Sequence, residues 1–561
     1  MNRSMIKKLV LLVAGLILVN LLSTQFYERI DMTDDDRYTL SSTALDYLND
    51  AELPILIDVF LDGELPAEFL KLKQETRQLL EEMSNEHPEL KYEFIDPTEG
   101  LNEQERNQVI QQLAREGVQA ARTTILDQGK ETNIVVFPYA IIAYDGKRTA
   151  IPLLKSVARS TTEQRVNSSI QQLEYQLIDG LRKVSREKEK SIAILRDSGE
   201  LSDLQIADFI RSLQAYYKVA PFGIEFVTTS DSVQPRQVLN ALNQYDLVIE
   251  AKPTIAFSQT KNYILDQYLM NGGNLLLAAD PIIMENDSLA NEQQTAYALP
   301  RDLNLDEMLF RYGLRLKKGL IKDLQSGPIA LATGQGRNTQ YEAFKWPYYP
   351  IASGSQDIAI TKNLEEVKFE YTGSIDTLNS SNRKQILLSS SENTRVVTLP
   401  TAISLSELER DINPDNYQSD SQILSVISQG NFTSAFKNRV KPFDNPDHKD
   451  QSNYSCIFLS ADGDIMKNQV DRGQPLDLGY DLRTGQLYGN KEFLLNVVNS
   501  ILADDGLINL RNKDYQIAFL DVERSYDQRI LWQLLNIVAP ILLVFGFGAL
   551  FIALRKRRYA H

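Results

Sequence analysis

The stretch from Tyr263 to Pro281, YILDQYLMNGGNLLLAADP, constrains the fold more than any other part of the chain. Its first half sets Ile264, Tyr268 and Leu269 on one helical face. The doublet Gly272-Gly273 supplies the positive φ that ends a helix, and Asn274 to Ala279 is a short, almost wholly apolar run. The expected order is therefore helix, cap and buried strand. A strand that is apolar on both faces needs cover on both, which predicts a parallel sheet with helices on either side. Asp280-Pro281 stops the strand at the rim where α/β folds place ligands.

The two ends of the chain are of a different kind. Met1 to Lys8 carries Arg3, Lys7 and Lys8 and no acid, and it leads into the apolar run Leu9 to Phe26. At about 1.5 Å per residue this run is just long enough to cross the hydrocarbon core. A cleaved signal peptide is the alternative, but Leu21 and Leu22 stand where cleavage before Ser23 or Thr24 needs small residues. The expectation is a retained helix over 9–26. A second membrane helix is expected over 531–554, opened by the interfacial Trp532 and closed by Arg555, Lys556, Arg557 and Arg558. Both basic ends then fall on the cytoplasmic side of a bacterial inner membrane, in contact with lipid, and everything between them is periplasmic. The termini hold 7 of the 59 Lys+Arg and none of the 75 Asp+Glu, so the exported part is more acidic than the net charge of −16. Such a surface excludes nucleic acid as a partner.

Residue chemistry narrows the possible activities. The single cysteine, Cys456, lies in the apolar run CIFL, which excludes an internal disulfide or a CxxC redox site. His87, His448 and His561 stand far apart with no HExxH spacing, so neither a zinc site nor a Ser-His-Asp triad is expected. No metal and no cofactor is called for. Asp444, Asp447, His448 and Asp450 could clasp a cation, but FDNPDHKD reads more simply as a wet loop. ATGQGRN at Ala332 to Asn338 contains a GxG without the strand-to-helix setting of a phosphate loop.

Taken in order, strand runs at Ile55 to Leu61 and Leu90 to Ile95 alternate with helices at Pro66 to Glu86 and Asn102 to Glu116, which predicts parallel pairing. Runs at Thr132 to Tyr144 and Thr149 to Leu154 meet at Asp145-Gly146, a strong hairpin signal. This gives a thioredoxin-like α/β domain over 40–160, with no cysteine to do thiol chemistry. A connecting helix is expected over 161–189. Alternating elements over 190–282 read as a doubly wound α/β domain, with strands at Ile192 to Leu195 and Asp246 to Ala251. Residues 283–450 lose helical periodicity and read as a β-rich insertion with mobile loops. α/β character returns over 451–510, where Ser455 to Ser460 and the helix Lys491 to Ala503 are expected to complete the interrupted sheet.

If that sheet is parallel, its strand ends share one rim carrying Asp197, Ser198, Gly199 and Glu200, then Lys252, Asp280, Asp462 and Asp464. Ser198, Gly199, Glu200, Lys252, Asp280, Asp462 and Asp464 are the expected ligand-binding residues, since carboxylates beside a serine and a lysine can hold a polar ligand or a cation. No catalytic residue is assigned, because no nucleophile sits in an elbow motif. Asp-Gly and Asp-Pro also occur wherever strands turn, and solvated rim acids are common.

Seven segments in order carry a family resemblance: RIDMTDDDRYTLS, FLDGELPAEFLKLKQETRQLL, NSSIQQLEY, LDQYLMNGGNLLLAADP, YGLRLKKGLIKDL, FLLNVVNSILADDGLINLR and LWQLLNIVAP…FIALRKRRYA. With them the chain resembles the extracytoplasmic, GldG-type subunits of gliding-motility ABC transporters of Bacteroidetes, within the auxiliary-component family of uncharacterised ABC transport systems. The resemblance implies an inner-membrane protein working with a polytopic GldF-like permease, a cytoplasmic GldA-like ATPase and an envelope component. It also implies that the central domain is similar to amidotransferase-like and GIFT domains, whose catalytic Cys and His have no counterpart here. The family is often labelled substrate-binding. A non-enzymatic subunit for ligand capture or coupling is the leading expectation. The alternatives are a membrane-anchored hydrolase or transferase acting on envelope saccharide at the Asp197, Asp280 and Asp462 rim, and an envelope scaffold without a transporter.

Overall fold

The computed structural model describes residue 15 and residues 39–127, 130–155, 161–225, 234–333, 340–503, 506–512 and 528–559. Apart from residue 15, the apolar run over 9–26 lies outside the described residues, as does most of the GxG segment at 332–338. The chain divides into a compact unit ending at Lys513 and a second unit beginning at Asp514.

The first unit opens with helix α1 (Ser42–Asn49), whose N-cap Ser41 accepts a hydrogen bond from the Ala44 amide. Strand β1 (Ile55–Val59), helix α2 (Ala67–Glu86) and strand β2 (Leu90–Phe94) follow, and β1 and β2 pair in parallel as the alternation predicts. Helix α2 buries Phe69, Leu72, Thr76, Leu80 and Met83, a spacing that keeps one face on the sheet. After helix α3 (Glu103–Arg115) come strands β3 (Ala121–Asp127), β4 (Lys130–Val136), β5 (Tyr139–Tyr144) and β6 (Lys147–Pro152). The expected single strand over 132–144 is two strands, because Pro138 has no amide to give to a ladder. β3 and β4 form their own hairpin, and the four-stranded sheet runs β2-β1-β5-β6. The Asp145-Gly146 turn has φ of 47° and 72°, the positive pair that a two-residue hairpin requires. The connecting segment is likewise two helices, α4 (Thr162–Ile170) and α5 (Leu173–Ser185). The first starts from a Thr161/Gln164 capping box.

A second, twelve-stranded sheet is assembled from β7 (Ser191–Leu195), β8 (Lys218–Phe222), β9 (Leu247–Ala251) and β10 (Asn274–Ala278), all parallel, with helices α6 (Asp203–Gln214), α7 (Pro235–Leu242) and α8 (Gln259–Met270) between them. Strands β11 (Ile282–Ile283) and β12 (Thr295–Pro300), helix α9 (Asp306–Arg311), then β13 (Leu314–Lys317), β14 (Gly319–Asp323), β15 (Ser326–Thr333), β16 (Gln340–Gly354), β17 (Val367–Lys368), β18 (Ser374–Thr377), β19 (Arg383–Ser389), β20 (Thr394–Thr398), β21 (Thr401–Ser404) and β22 (Ile423–Gly430) make the β-rich stretch. β23 (Ser455–Ser460) then lies parallel to β10 with Leu275 opposite Ile457, and β22 pairs antiparallel with its other edge. The path is β15-β16-β19-β22-β23-β10-β9-β7-β8, so strands from 283–450 extend the same sheet. β9 and β23 are buried along their whole length, as strands covered on both faces must be. Helix α10 (Asn490–Leu502) packs Phe493, Leu494, Val497 and Val498 into the core on one of these faces.

Helix α8 departs from the one-sided pattern that its sequence shows. Every residue from Lys261 to Met270 is buried. The segment 431–450 is the reason, since it lies over the helix as a lid of backbone and aromatic side chains. Asp266 accepts hydrogen bonds from the Tyr312 hydroxyl at 2.8 Å, the Ala435 amide at 2.7 Å and the Ser434 hydroxyl at 2.7 Å. Gln267 exchanges two bonds with the Lys449 backbone, and Phe436 and Phe443 meet the Tyr263 ring edge-on at 4.9 Å. Gly272 caps the helix with φ of 99°. Gly273 serves a different need, because a Cβ there would stand 2.3 Å from the Tyr268 ring.

In the second unit, Arg529–Arg558 is the one helix among the described residues long and apolar enough to cross a bilayer. Its turn Leu534–Val538 is widened to a π-helix just before Pro540, whose missing amide breaks the ordinary ladder. The Asn536 side-chain amide donates to the Trp532 carbonyl at 3.0 Å, so this donor finds an acceptor within its own helix.

Candidate functional site

The carboxyl ends of β7, β9, β10 and β23 do share a rim, and the structure divides its polar residues between two buried lysines.

The first lysine, Lys252, follows β9 directly and holds φ of 58°, a left-handed conformation that costs a side-chain-bearing residue about 1 kcal/mol or more. Its Nζ lies 2.7 Å from Asp464, 2.6 Å from Glu285 and 3.4 Å from Asp280. Lys467 adds pairs to Asp464 at 3.0 Å and Glu285 at 3.3 Å. Gly463 permits the close approach, since a Cβ there would sit 2.5 Å from the Lys252 side chain. Asp280 also accepts a hydrogen bond from the Gly463 amide. Asp462 stands behind this group, accepting from the Glu370 amide at 2.6 Å and the Asp464 amide at 2.7 Å.

These contacts set the charges. Burial opposes the Lys252 ammonium, but Asp464, Asp280 and Glu285 outweigh it and hold its pKa above the ordinary lysine range. Burial raises Asp280 to about 6, with Asp464 adding to the rise and Lys252 restraining it. Burial, then Asp280 and Asp464, push Asp462 well above the usual carboxylate range, and Lys252 and Lys467 bring Asp464 below it against its burial. Asp280, Glu285 and Asp464 each offer an oxygen within 4.8 Å of the others, the spacing of a cation site. Lys252 Nζ contacts all three, so the ammonium already supplies the positive charge that such a site would take from a metal.

The second lysine, Lys261, sits in the first turn of α8, where its backbone amide donates to the N-cap hydroxyl of Ser258. Its side chain is wholly buried, 2.9 Å from Glu250, 3.0 Å from Asp197, 2.6 Å from the Ser198 hydroxyl and 3.7 Å from Glu200. The ammonium also stands 4.0 Å above the Phe257 ring. Burial, reinforced by Glu200, pushes Glu250 well above the carboxylate range. Glu200 goes down despite its burial, helped by a hydrogen bond with Glu250 and by Lys261. A neutral lysine beside Ser198 could draw its proton and make a nucleophile. Here Glu250 and Asp197 overcome the burial penalty and keep Lys261 charged, and Ser198 is buried.

Of the residues expected at the rim, Lys252, Asp280 and Asp464 meet in one cluster with Asp462 at its back, and Ser198 and Glu200 belong to the other. Gly199 takes φ of 71° in the turn between them, with its carbonyl accepting from Thr254. Sequence reasoning missed Lys261, Glu250, Glu285 and Lys467. Glu250 carried a signal, an acid inside the otherwise apolar run LVIEA. The FDNPDHKD acids do not converge: Asp447 pairs with Arg236, while His448 bridges the Tyr263 hydroxyl and Asp450 at 3.1 Å each. Cys456 is buried in β23, and burial pushes its thiol up to about 12.

Residues 34–143 match the family described as a domain of unknown function, DUF7088. No curated protein matches the chain significantly. Among solved structures, the chain is similar to the "mmIFT52 N-terminal domain", at 11% identity and a TM-score of 0.32, over 56% of this chain and 99% of that one. A ThuA-like protein from Parabacteroides merdae ATCC 43184 is similar at 12% identity and a TM-score of 0.26, over 56% of this chain and 91% of that one. TM-scores this low define no common fold. The family described as "ABC-type uncharacterized transport system" matches residues 189–497, from just before β7 into α10 and across both lysine clusters. That match covers more than half of the chain, and the protein accordingly belongs to this family of auxiliary components of ABC-type transport systems.

Proposed function

We propose that the protein is a non-enzymatic, extracytoplasmic subunit of a gliding-motility-type ABC assembly. It would capture a ligand or couple a GldF-like permease and a GldA-like ATPase to an envelope partner. In this reading 40–160 is a thioredoxin-like domain, 190–282 with 451–510 is an amidotransferase-like or GIFT-like domain, and 283–450 is its insertion. The terminal helices over 9–26 and 531–554 hold these parts on the periplasmic face. The observation that carries the proposal is the internal neutralisation of the rim. The rim carboxylates that would serve as acid, base or metal ligand are already paired with Lys252 and Lys261, and the rim serine Ser198 is buried against an ammonium.

Capture of the full-length chain from native membranes in a mild detergent tests this reading. A polytopic permease and an ATPase should be recovered with it in fixed proportion. Recovery of the protein alone, from membranes that retain both partners, would sink the proposal.

A further inference from the structure

A second feature lies away from the rim, in a chain whose overall charge is −16. A cleft of about 520 Å³ is lined by Lys147, Arg148, Lys183, Arg186, Lys188 and Lys218, with Glu187 as its one acidic lining residue. The cations come from three directions. Lys147 and Arg148 begin β6 just after the Asp145-Gly146 turn, Lys183 to Lys188 end and follow α5, and Lys218 begins β8 at the edge of the long sheet.

Half of these charges are already paired. Lys183 meets Asp179 at 2.7 Å, Arg186 meets Asp50 at 3.2 Å, and Arg148 lies 3.8 Å from Glu116 and 3.9 Å from Asp58. Lys147, Lys188 and Lys218 have no acidic partner among the described residues, and Lys188 donates only to the Gln214 carbonyl. The α5 carboxyl end accounts for cations in its last turn and just beyond it, because they complement the helix dipole. It does not account for Lys147 and Lys218, which start strands and still line the same cleft. Like charges gathered on the walls of a concave surface focus a positive potential into it, and an anion relieves their repulsion. Ammonium groups on flexible stems suit the compact, multiply charged oxygen shell of phosphate.

The position is informative as well. The cleft shares Arg186, Glu187 and Ala215 with an adjoining cleft lined by Thr43 and Gly506. The two clefts thus lie side by side, between the α5 carboxyl end and the segments around Thr43 and Gly506. We infer that this cleft binds a phosphate-bearing anion, either a phospholipid headgroup or a free phosphate. The inference rests on the cleft alone and stands whether or not the rim is catalytic.

The test uses the full-length protein in a neutral detergent at low ionic strength, with calorimetry as the readout. One arm titrates inorganic phosphate, and the other compares mixed micelles containing phosphatidylglycerol with micelles containing phosphatidylcholine. Binding of either anionic probe supports the site when Lys188→Glu and Lys218→Glu each weaken it about tenfold, the scale of one lost charge-assisted bond. Lys441→Glu, an exposed change of the same charge elsewhere, should leave affinity within about twofold. Phosphate binding identifies a free anion, and binding of phosphatidylglycerol alone identifies a headgroup. All three lysines are exposed, so melting temperatures should not move. Absence of binding by both probes, or binding that the two cleft variants leave intact, overturns the inference.

Discussion

Lys261, in the first turn of a helix buried on every side, reaches back 2.9 Å to Glu250 inside the neighbouring strand β9, and both side chains are wholly shielded from solvent. This pair joins the helix to the sheet where the chain would otherwise bury two isolated charges. Its energetic logic differs from that of a surface ion pair, because removing one partner strands the other in a medium of low polarity.

Lys261→Met should lower the unfolding free energy by about 3–5 kcal/mol, since Asp197 and Glu200 lose their counter-charge along with Glu250. Adding Glu250→Leu to that variant should recover part of the loss, because it removes a desolvated carboxyl. Urea unfolding of the full-length protein in detergent measures both. A loss below about 1 kcal/mol for the single variant would mean the pair carries no structural weight.

The Lys252 cluster predicts a distinctive pH dependence. Burial raises Asp280 to about 6, from an ordinary carboxyl value near 3.8. The folded state therefore binds the proton more tightly than the unfolded state does. The stability this group contributes is fully present below about pH 4 and is lost as pH rises through about 6. Relative to wild type, Asp280→Asn should gain on the order of 2–3 kcal/mol between pH 4 and pH 7, the equivalent of a two-unit shift. Parallel stability profiles for the two proteins would contradict the assignment.

The lid over α8 predicts local opening. Asp266→Ala deprives the Tyr312 and Ser434 hydroxyls and the Ala435 amide of their acceptor, which should cost about 3 kcal/mol or more. Tyr312→Phe removes one of these bonds and should cost about 1–2 kcal/mol. Hydrogen exchange should rise first across 431–450 in both variants, before the strands of the sheet respond. Uniform loss of protection would show that the segment is no separate cover.

Much of this was legible in the chain because it is set by local rules. The Asp145-Gly146 turn, the parallel pairing of β1 with β2, and the pairing of β10 with a strand about 180 residues later all follow from turn chemistry and hydrophobic runs. The strand ends pointed to Lys252 and Asp280 for the same reason. What could not be read was partnership at a distance. Lys261 at the start of a helix looks like any solvated residue until Glu250 is placed opposite it by the strand order. Glu285 follows the two-residue strand β11, which no periodicity marks. The 431–450 segment was polar enough to read as loop, yet its few apolar side chains, Phe432, Phe436 and Phe443, are those that close over Tyr263 and Tyr312. Composition gave no reason to separate them from their wet neighbours.

On the proposed reading the rim is a neutralised structural core, and Asp280→Asn separates that reading from a catalytic rim. Within the Lys252 cluster that change leaves two cations, Lys252 and Lys467, facing two carboxylates, Asp464 and Glu285, so folding and assembly should survive. The measurement is in-cell complementation of the transport-linked phenotype, with partner recovery scored in the same cells. The account predicts wild-type function and wild-type recovery. A variant that folds and assembles normally but has lost function would contradict it, and would return Asp280 to the role of a working acid or base.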